Sequence, residues 1–266
     1  MPKQQLINAF ENLNDEESAY WFGYLCGDGS LHSKRDVIFL GSKDLEHLKK
    51  YKKFLRLKHK ISGSNGYYSI SFTSSITYKN LLNLGLTPRK SKTINEKVIP
   101  KRNVSHFIRG LFDSDGSIGF YKYENRNLKK ASLCFYGNYP LLKHIKIRIN
   151  DGGSIQKNKP RADSLIYGGR FKVAEVISFL YDNATIYLER KKIISDNILN
   201  YNKKFKKYFH YSKYNLFDKN KRPLVESVCE NCRTSFTHRA DHKNKFCSRK
   251  CSIDNMWKKR KRLQDS

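Results

Sequence analysis

The stretch Trp21-Phe22-Gly23-Tyr24-Leu25-Cys26-Gly27-Asp28-Gly29-Ser30 decides the reading of the fold, because it returns as Ile108-Arg109-Gly110-Leu111-Phe112-Asp113-Ser114-Asp115-Gly116-Ser117. Both copies run apolar, apolar or basic, Gly, apolar, apolar, any residue, small, Asp, Gly, Ser. The segments downstream of the two copies repeat as well. Phe39-Leu40-Gly41 and the helical pattern Leu45–Leu57 match Phe135-Tyr136-Gly137 and Leu141–Ile149. An alternating strand then appears in each half, Tyr68–Phe72 and Ser164–Tyr167, succeeded by the helical stretches Ile76–Leu84 and Phe171–Leu180. The motif copies are offset by 87 residues and the later strands by about 95, which places an insertion in the second half, at the polar Lys122–Lys130 loop. A repeat of this length predicts two pseudo-symmetric halves rather than a solenoid.

The spacing within the motif carries chemistry. Asn14 with Glu17 three residues on fits a capping box, and Gly29 is expected in the left-handed position that ends a helix. Asp28 then occupies the last turn, where a carboxylate meets the negative end of the helix dipole at a cost of about 0.3–1 kcal/mol unless a cation is present. Asp115 repeats that cost. The pair predicts a divalent cation held by each Asp and by the carbonyl before it, that of Gly27 or Ser114. Gly23 and Gly27, like Gly110 and Ser114, are four apart and put small residues on one helix face. Two such helices packed face to face would deliver both carboxylates to one end of their interface, the arrangement that metal-assisted phosphodiester hydrolysis needs.

Charge points the same way. The 266 residues hold 53 Lys+Arg against 24 Asp+Glu, a formal +29. Residues 223–266 account for +6 of it and the preceding part for +23, so the main body itself needs an anionic partner, and nucleic acid is the default. At 38% hydrophobic content the chain can bury a core. No run approaches the roughly 18 apolar residues of a membrane span, and Met1–Asn14 lacks a secretory apolar stretch, so an intracellular protein is expected.

These segments resemble the LAGLIDADG homing-endonuclease motif. Leu84-Gly85-Leu86-Thr87-Pro88-Arg89-Lys90-Ser91-Lys92-Thr93 is similar to the segment that closes a half-domain in that family, and Tyr187–Lys192 to its counterpart, so the resemblance spans roughly residues 18–200. It implies an α+β fold of two αββαββα halves forming a DNA-binding saddle, with half-domains at 1–100 and 101–200. It also implies a site-specific double-stranded DNA endonuclease using Mg²⁺ or a similar cation at Asp28 and Asp115. Two motifs in one chain predict a monomer. Lys90, Lys92 and Lys191 are candidates for a lysine near the cut phosphates, and each is equally readable as an ordinary solvated or phosphate-neutralising lysine. Cys26 departs from the family pattern where Asp is common, whereas Asp113 keeps it. A catalytically silent DNA-binding regulator or an RNA maturase with the same fold is the alternative, and the presence of both Asp28 and Asp115 favours the enzyme.

In a sheet lying on DNA, alternate side chains enter the core while the others face the groove. Ser69, Ser71 and Thr73 alternate with Ile70 and Phe72, and Lys157, Lys159 and Arg161 come after Ser154-Ile155, which makes these the candidate DNA-contacting residues. Finally, Cys229-x₂-Cys232 and Cys247-x₃-Cys251 supply four thiolates at zinc spacing. They predict a treble-clef-like module at 223–266, joined by a basic linker at 201–222. His238 and His242 are alternative ligands, and Phe246 and Trp257 are candidates for the module's small core. Four protein ligands leave no open position, so the zinc is expected to be structural.

Overall fold

The computed structural model describes residues 8–122, 129–158, 162–203, 224–239 and 244–264. Residues up to Asn200 form one compact unit and those from Tyr201 another.

In the first unit each half repeats one plan. Helix α1 (Glu16–Asp28) leads straight into β1 (Gly29–Leu31), then β2 (Val37–Ser42), α2 (Leu45–Phe54), β3 (Ser62–Ser64), β4 (Tyr67–Thr73) and α3 (Ser75–Asn83). A short helix α4 (Lys90–Thr93) and a 3-10 turn (Glu96–Val98) connect to the second half. There α5 (Val104–Asp115) is succeeded by β5 (Ser117–Lys122), β6 (Lys129–Gly137), α6 (Tyr139–Ile149), β7 (Ser154–Gln156), β8 (Asp163–Gly168), α7 (Arg170–Tyr181) and α8 (Glu189–Lys203). Both sheets are antiparallel with the same strand order, β1-β2-β4-β3 and β5-β6-β8-β7. The expected α+β architecture of two pseudo-symmetric halves is the one observed.

Register fixes which face is buried. Ile38 pairs with Phe72 and Leu40 with Ile70, and all four are buried. The next row, Phe39 opposite Ser71 and Ser30, must point the other way because side chains alternate along a strand. The β3–β4 connection is an Asn65-Gly66 turn with both residues at positive φ, 51° and 75°, the geometry that matches the strand twist of a tight hairpin.

Two local expectations are corrected. The N-cap of α1 is Asp15, whose side chain accepts from Ser18 N at 2.8 Å, not Asn14. Asp15 is equally able to cap and stands one residue closer to the buried face. Gly29 is extended (φ −78°, ψ 165°) rather than left-handed. It pairs with Leu40 as the first residue of β1, so the helix ends by turning directly into a strand. The inserted loop at 122–130 falls mostly outside the described residues, although Lys122 and Lys129 pair at its base.

The second unit holds a hairpin, β9 (Leu224–Val228) with β10 (Ser235–Arg239), and helix α9 (Arg249–Gln264). Most of the linker at 201–222 lies outside the described residues, as do His242, Lys159 and Arg161. No helix among the described residues is long and apolar enough to cross a membrane.

Candidate metal centre and nucleic-acid face

Helices α1 and α5 meet at their glycines. A Cβ on Gly23 would lie 2.0 Å from the Phe107 carbonyl oxygen, and one on Gly110 would lie 2.0 Å from that of Tyr20. Backbone therefore rests on backbone, and only glycine permits it. One turn further, a Cβ on Gly27 would meet Ser114 Oγ at 1.9 Å and Asp115 Oδ2 at 3.1 Å. The two motif ends thus converge, and Asp28 and Asp115 share one end of the interface.

The electrostatics register that convergence. Loss of hydration against the surrounding protein, together with the Asp115 charge, raises Asp28 to about 6, with Lys191 and Lys90 opposing the shift. Desolvation likewise raises Asp115 against the pull of the same two lysines. Lys90 Nζ donates to the Gly27 carbonyl at the end of α1. Lys191 Nζ donates to the carbonyls of Phe112 (2.5 Å), Asp113 (2.9 Å) and Gly116 (2.6 Å) at the end of α5. Only 3% of Lys191 is exposed, and burial depresses it to about 8. Each lysine therefore offsets the negative end of one motif helix. Lys92 belongs to α4, but its side chain lies outside the described set.

Beneath the carboxylates lies a polar clamp that the sequence reading missed. Asp113 is fully buried and accepts from Tyr20 Oη, Tyr181 Oη and Leu188 N, each at 2.8 Å. Arg109, also fully buried, donates to Glu16 (2.6 Å), Leu180 O (2.8 Å) and Ile186 O (2.9 Å). Glu16 accepts in addition from Thr185 N at 2.8 Å and Thr185 Oγ1 at 2.9 Å. Burial alone would raise Glu16, yet these hydrogen bonds and Arg109 hold it below the usual carboxylate range. Together these contacts tie residues 185–188 to both motif helices and so position Lys191. The first half has Phe22 and Cys26 at the equivalent positions. The available signal was Arg109 itself, a cation inside an otherwise apolar helix face that needs a buried anion to balance it.

Of the candidate DNA-facing residues, Ser69, Ser71 and Thr73 lie on the sheet face turned from the core. Ser69 is half-buried, Ser71 and Thr73 are exposed, and Ile70 and Phe72 between them are buried. Lys157 is exposed just past β7, with Nζ 5.2 Å from the Tyr139 ring centroid.

In the second unit the sulfurs of Cys229, Cys232, Cys247 and Cys251 lie within 4.8 Å of one another, with no disulfide among them. Cys232 and Cys251 each lie 3.5 Å from Cys247, sulfur to sulfur. A tetrahedral zinc with bonds of about 2.3 Å separates its sulfurs by roughly 3.8 Å, so the donor set fits that ion in type and spacing. His238 is not part of the cluster; its ring shares a 2.9 Å hydrogen bond with Ser227. Phe246 is half-buried, and the Trp257 side chain lies outside the described set.

An α+β fold of two matched halves has solved examples. The LAGLIDADG homing endonuclease I-GzeII, in complex with its DNA target, is similar over 76% of this chain and 100% of its own, with a TM-score of 0.51 at 11% identity. The LAGLIDADG meganuclease I-AabMI, bound to uncleaved DNA, is similar over 71% and 91%, with a TM-score of 0.51 at 12% identity. I-SmaMI, bound to uncleaved DNA target in the presence of calcium ions, is similar over 70% and 92%, with a TM-score of 0.50 at 14% identity. No family model and no curated protein sequence matches this chain. At these identities the likeness is one of fold, and the fold is that of the LAGLIDADG endonucleases.

Proposed function

We propose that the chain is a site-specific double-stranded DNA endonuclease of the LAGLIDADG homing type, acting as a monomer with a structural zinc in its C-terminal module. The observation that carries this is the convergence of Asp28 and Asp115 at the end of the α1–α5 interface. Two desolvated carboxylates at the negative ends of two helices, one of them raised further by the charge of the other, are in the situation a bound cation relieves. Asp28 and Asp115, with the carbonyl of Ser114 and, once Lys90 moves off it, that of Gly27, would hold Mg²⁺ or a similar ion. Such an ion supplies a Lewis-acidic charge that activates water and stabilises the leaving oxygen. Lys90 and Lys191 hold the helix ends in place through the carbonyls they occupy and temper the charge of the carboxylates. Lys92 is the remaining candidate for contact with the cut phosphates.

The sheet faces bearing Ser69, Ser71 and Thr73 in the first half, and the strand end bearing Lys157, Lys159 and Arg161 in the second, would lie against the duplex. The domain division that goes with this reading is 1–100, 101–200, a linker at 201–222 and the zinc module at 223–266. The test is cleavage of a randomised double-stranded DNA library with Mg²⁺ by wild type, Asp28→Asn and Asp115→Asn. Cutting at one defined long site by wild type alone, with binding retained in both variants, is the expected outcome. Selective enrichment of a DNA or RNA sequence with no cutting by wild type would move the assignment to a silent regulator or maturase.

A further inference from the structure

The open face of the first sheet is chemically unusual for a basic protein. Its strand positions turned from the core include Ser30 on β1, Val37 and Phe39 on β2, and Ser69, Ser71 and Thr73 on β4. Among the described residues, no Lys, Arg, Asn or Gln stands on that face of the four strands. Val37 and Phe39 are half-buried, so part of each apolar side chain remains accessible there. The cations stand off the strands instead. Lys34 and Arg35 are exposed in the β1–β2 loop, and Lys58 and Lys60 are exposed before β3. The second sheet differs, since Lys130 and Gln156 share its open face.

Base-edge chemistry is set by these side chains. Paired contacts to guanine need Arg or Lys, and those to adenine need Asn or Gln. A face of hydroxyls and apolar groups makes neither. It offers single hydroxyl hydrogen bonds and an apolar patch for the C5-methyl of thymine. Phe39 sits in register with Ser30, two residues beyond Asp28, so whatever it touches lies close to the carboxylate pair.

We propose that the half-site under the first sheet is an A·T-rich segment read through thymine methyl groups by Phe39 and Val37, with the flanking Lys34, Arg35, Lys58 and Lys60 on the phosphates. This rests on the endonuclease reading. The experiment has two stages. First, duplexes bound by the full-length protein are selected from a randomised library and sequenced. Second, in the enriched duplex, each thymine of the half-site next to the cut is replaced by deoxyuridine, which removes only the methyl.

The expected result is one half-site rich in A·T pairs. Deoxyuridine at one or two positions then weakens binding roughly fourfold each, the ratio that burying a methyl-sized group supplies. Phe39→Asn should lose that sensitivity and shift the preference at the same position. Enriched duplexes with G·C pairs throughout that half-site, or no loss on deoxyuridine substitution by wild type, would overturn the inference while leaving the endonuclease reading intact. No enriched sequence at all would overturn the DNA-binding reading and this inference with it. Because the deoxyuridine stage leaves the protein unaltered, a poorly folding Phe39 variant does not blunt the test.

Discussion

His47 is 3% exposed within α2, with ring centroids 4.8 Å from Trp21 and 4.9 Å from Tyr24. Its Nε2 lies 2.9 Å from Tyr20 Oη, whose proton is committed to Asp113. Nε2 therefore carries the proton of a neutral ring, and burial with Lys50 and Arg190 nearby depresses the pKa to about 3. The unfolded chain binds a proton here below about 6.5, whereas the folded one resists until about 3. In that window the unfolded state holds more protons, so stability falls as pH falls, by up to about 1.4 kcal/mol per pH unit. Asp28 contributes with the opposite sign, because its folded pKa is raised to about 6. Its ionised form is the disfavoured one, and its contribution is lost as pH rises from about 4 to 6. A comparison of variants separates the two. Urea unfolding of wild type and His47→Gln from pH 7 to pH 4 should show a shallower acid decline in the variant, whatever its stability at pH 7. Equal slopes would mean that His47 does not carry the effect.

The α1–α5 contact sets the tolerances at the level of elements. Gly23→Ala or Gly110→Ala drives a methyl into a carbonyl oxygen of the opposing helix, which cannot rotate aside. Overpacking of this kind costs about 1–3 kcal/mol, and the urea midpoint and Mg²⁺-dependent cleavage should fall together. Gly41→Ala is the contrast, because the three atoms nearest its added Cβ belong to the ring and hydroxyl of Tyr67, the outer end of a residue 49% exposed that can rotate toward solvent. If all three behaved alike, the interface would not be as tight as described. This contact was legible in the sequence because small residues four apart in two copies state a helix face, as alternation in Tyr68–Phe72 states a strand. The edge strands Ser62–Ser64 and Ser154–Gln156 are too short to show a period. Gly29 misled because an Asp-Gly step reads as a helix stop, whereas pairing with Leu40 drew it into a sheet. The carboxylate pair was visible in the repeat. The clamp through Glu16, Arg109 and Thr185 was not, since it joins residues up to 169 positions apart and has no repeat to betray it.

At the scale of the whole molecule, the two units rest on different physics. The first buries an apolar core beneath its two sheets, while the second gathers four cysteines around one point. Zinc binding would supply much of the folding free energy of so small a module. Chelation at neutral pH should therefore expose residues 224–264 to limited proteolysis while the thermal transition of residues 8–200 stays in place. Purified protein free of zinc, or a module indifferent to chelator, would remove the metal from the account. The clamp carries a further consequence for how the halves stay joined. Glu16, Arg109 and Thr185 fasten the start of the first half to the end of the second, and the connecting segment Ile94–Asn103 adds to that grip, with Ile94 and Val98 buried in the core and Asn103 donating to the Leu13 carbonyl. That segment is therefore both a covalent link, which makes the pairing of the halves an intramolecular event, and a part of the surface they share. Severed there, the same surfaces would still match, but the stability of the pair would become a dissociation constant, set by how much of each piece is present.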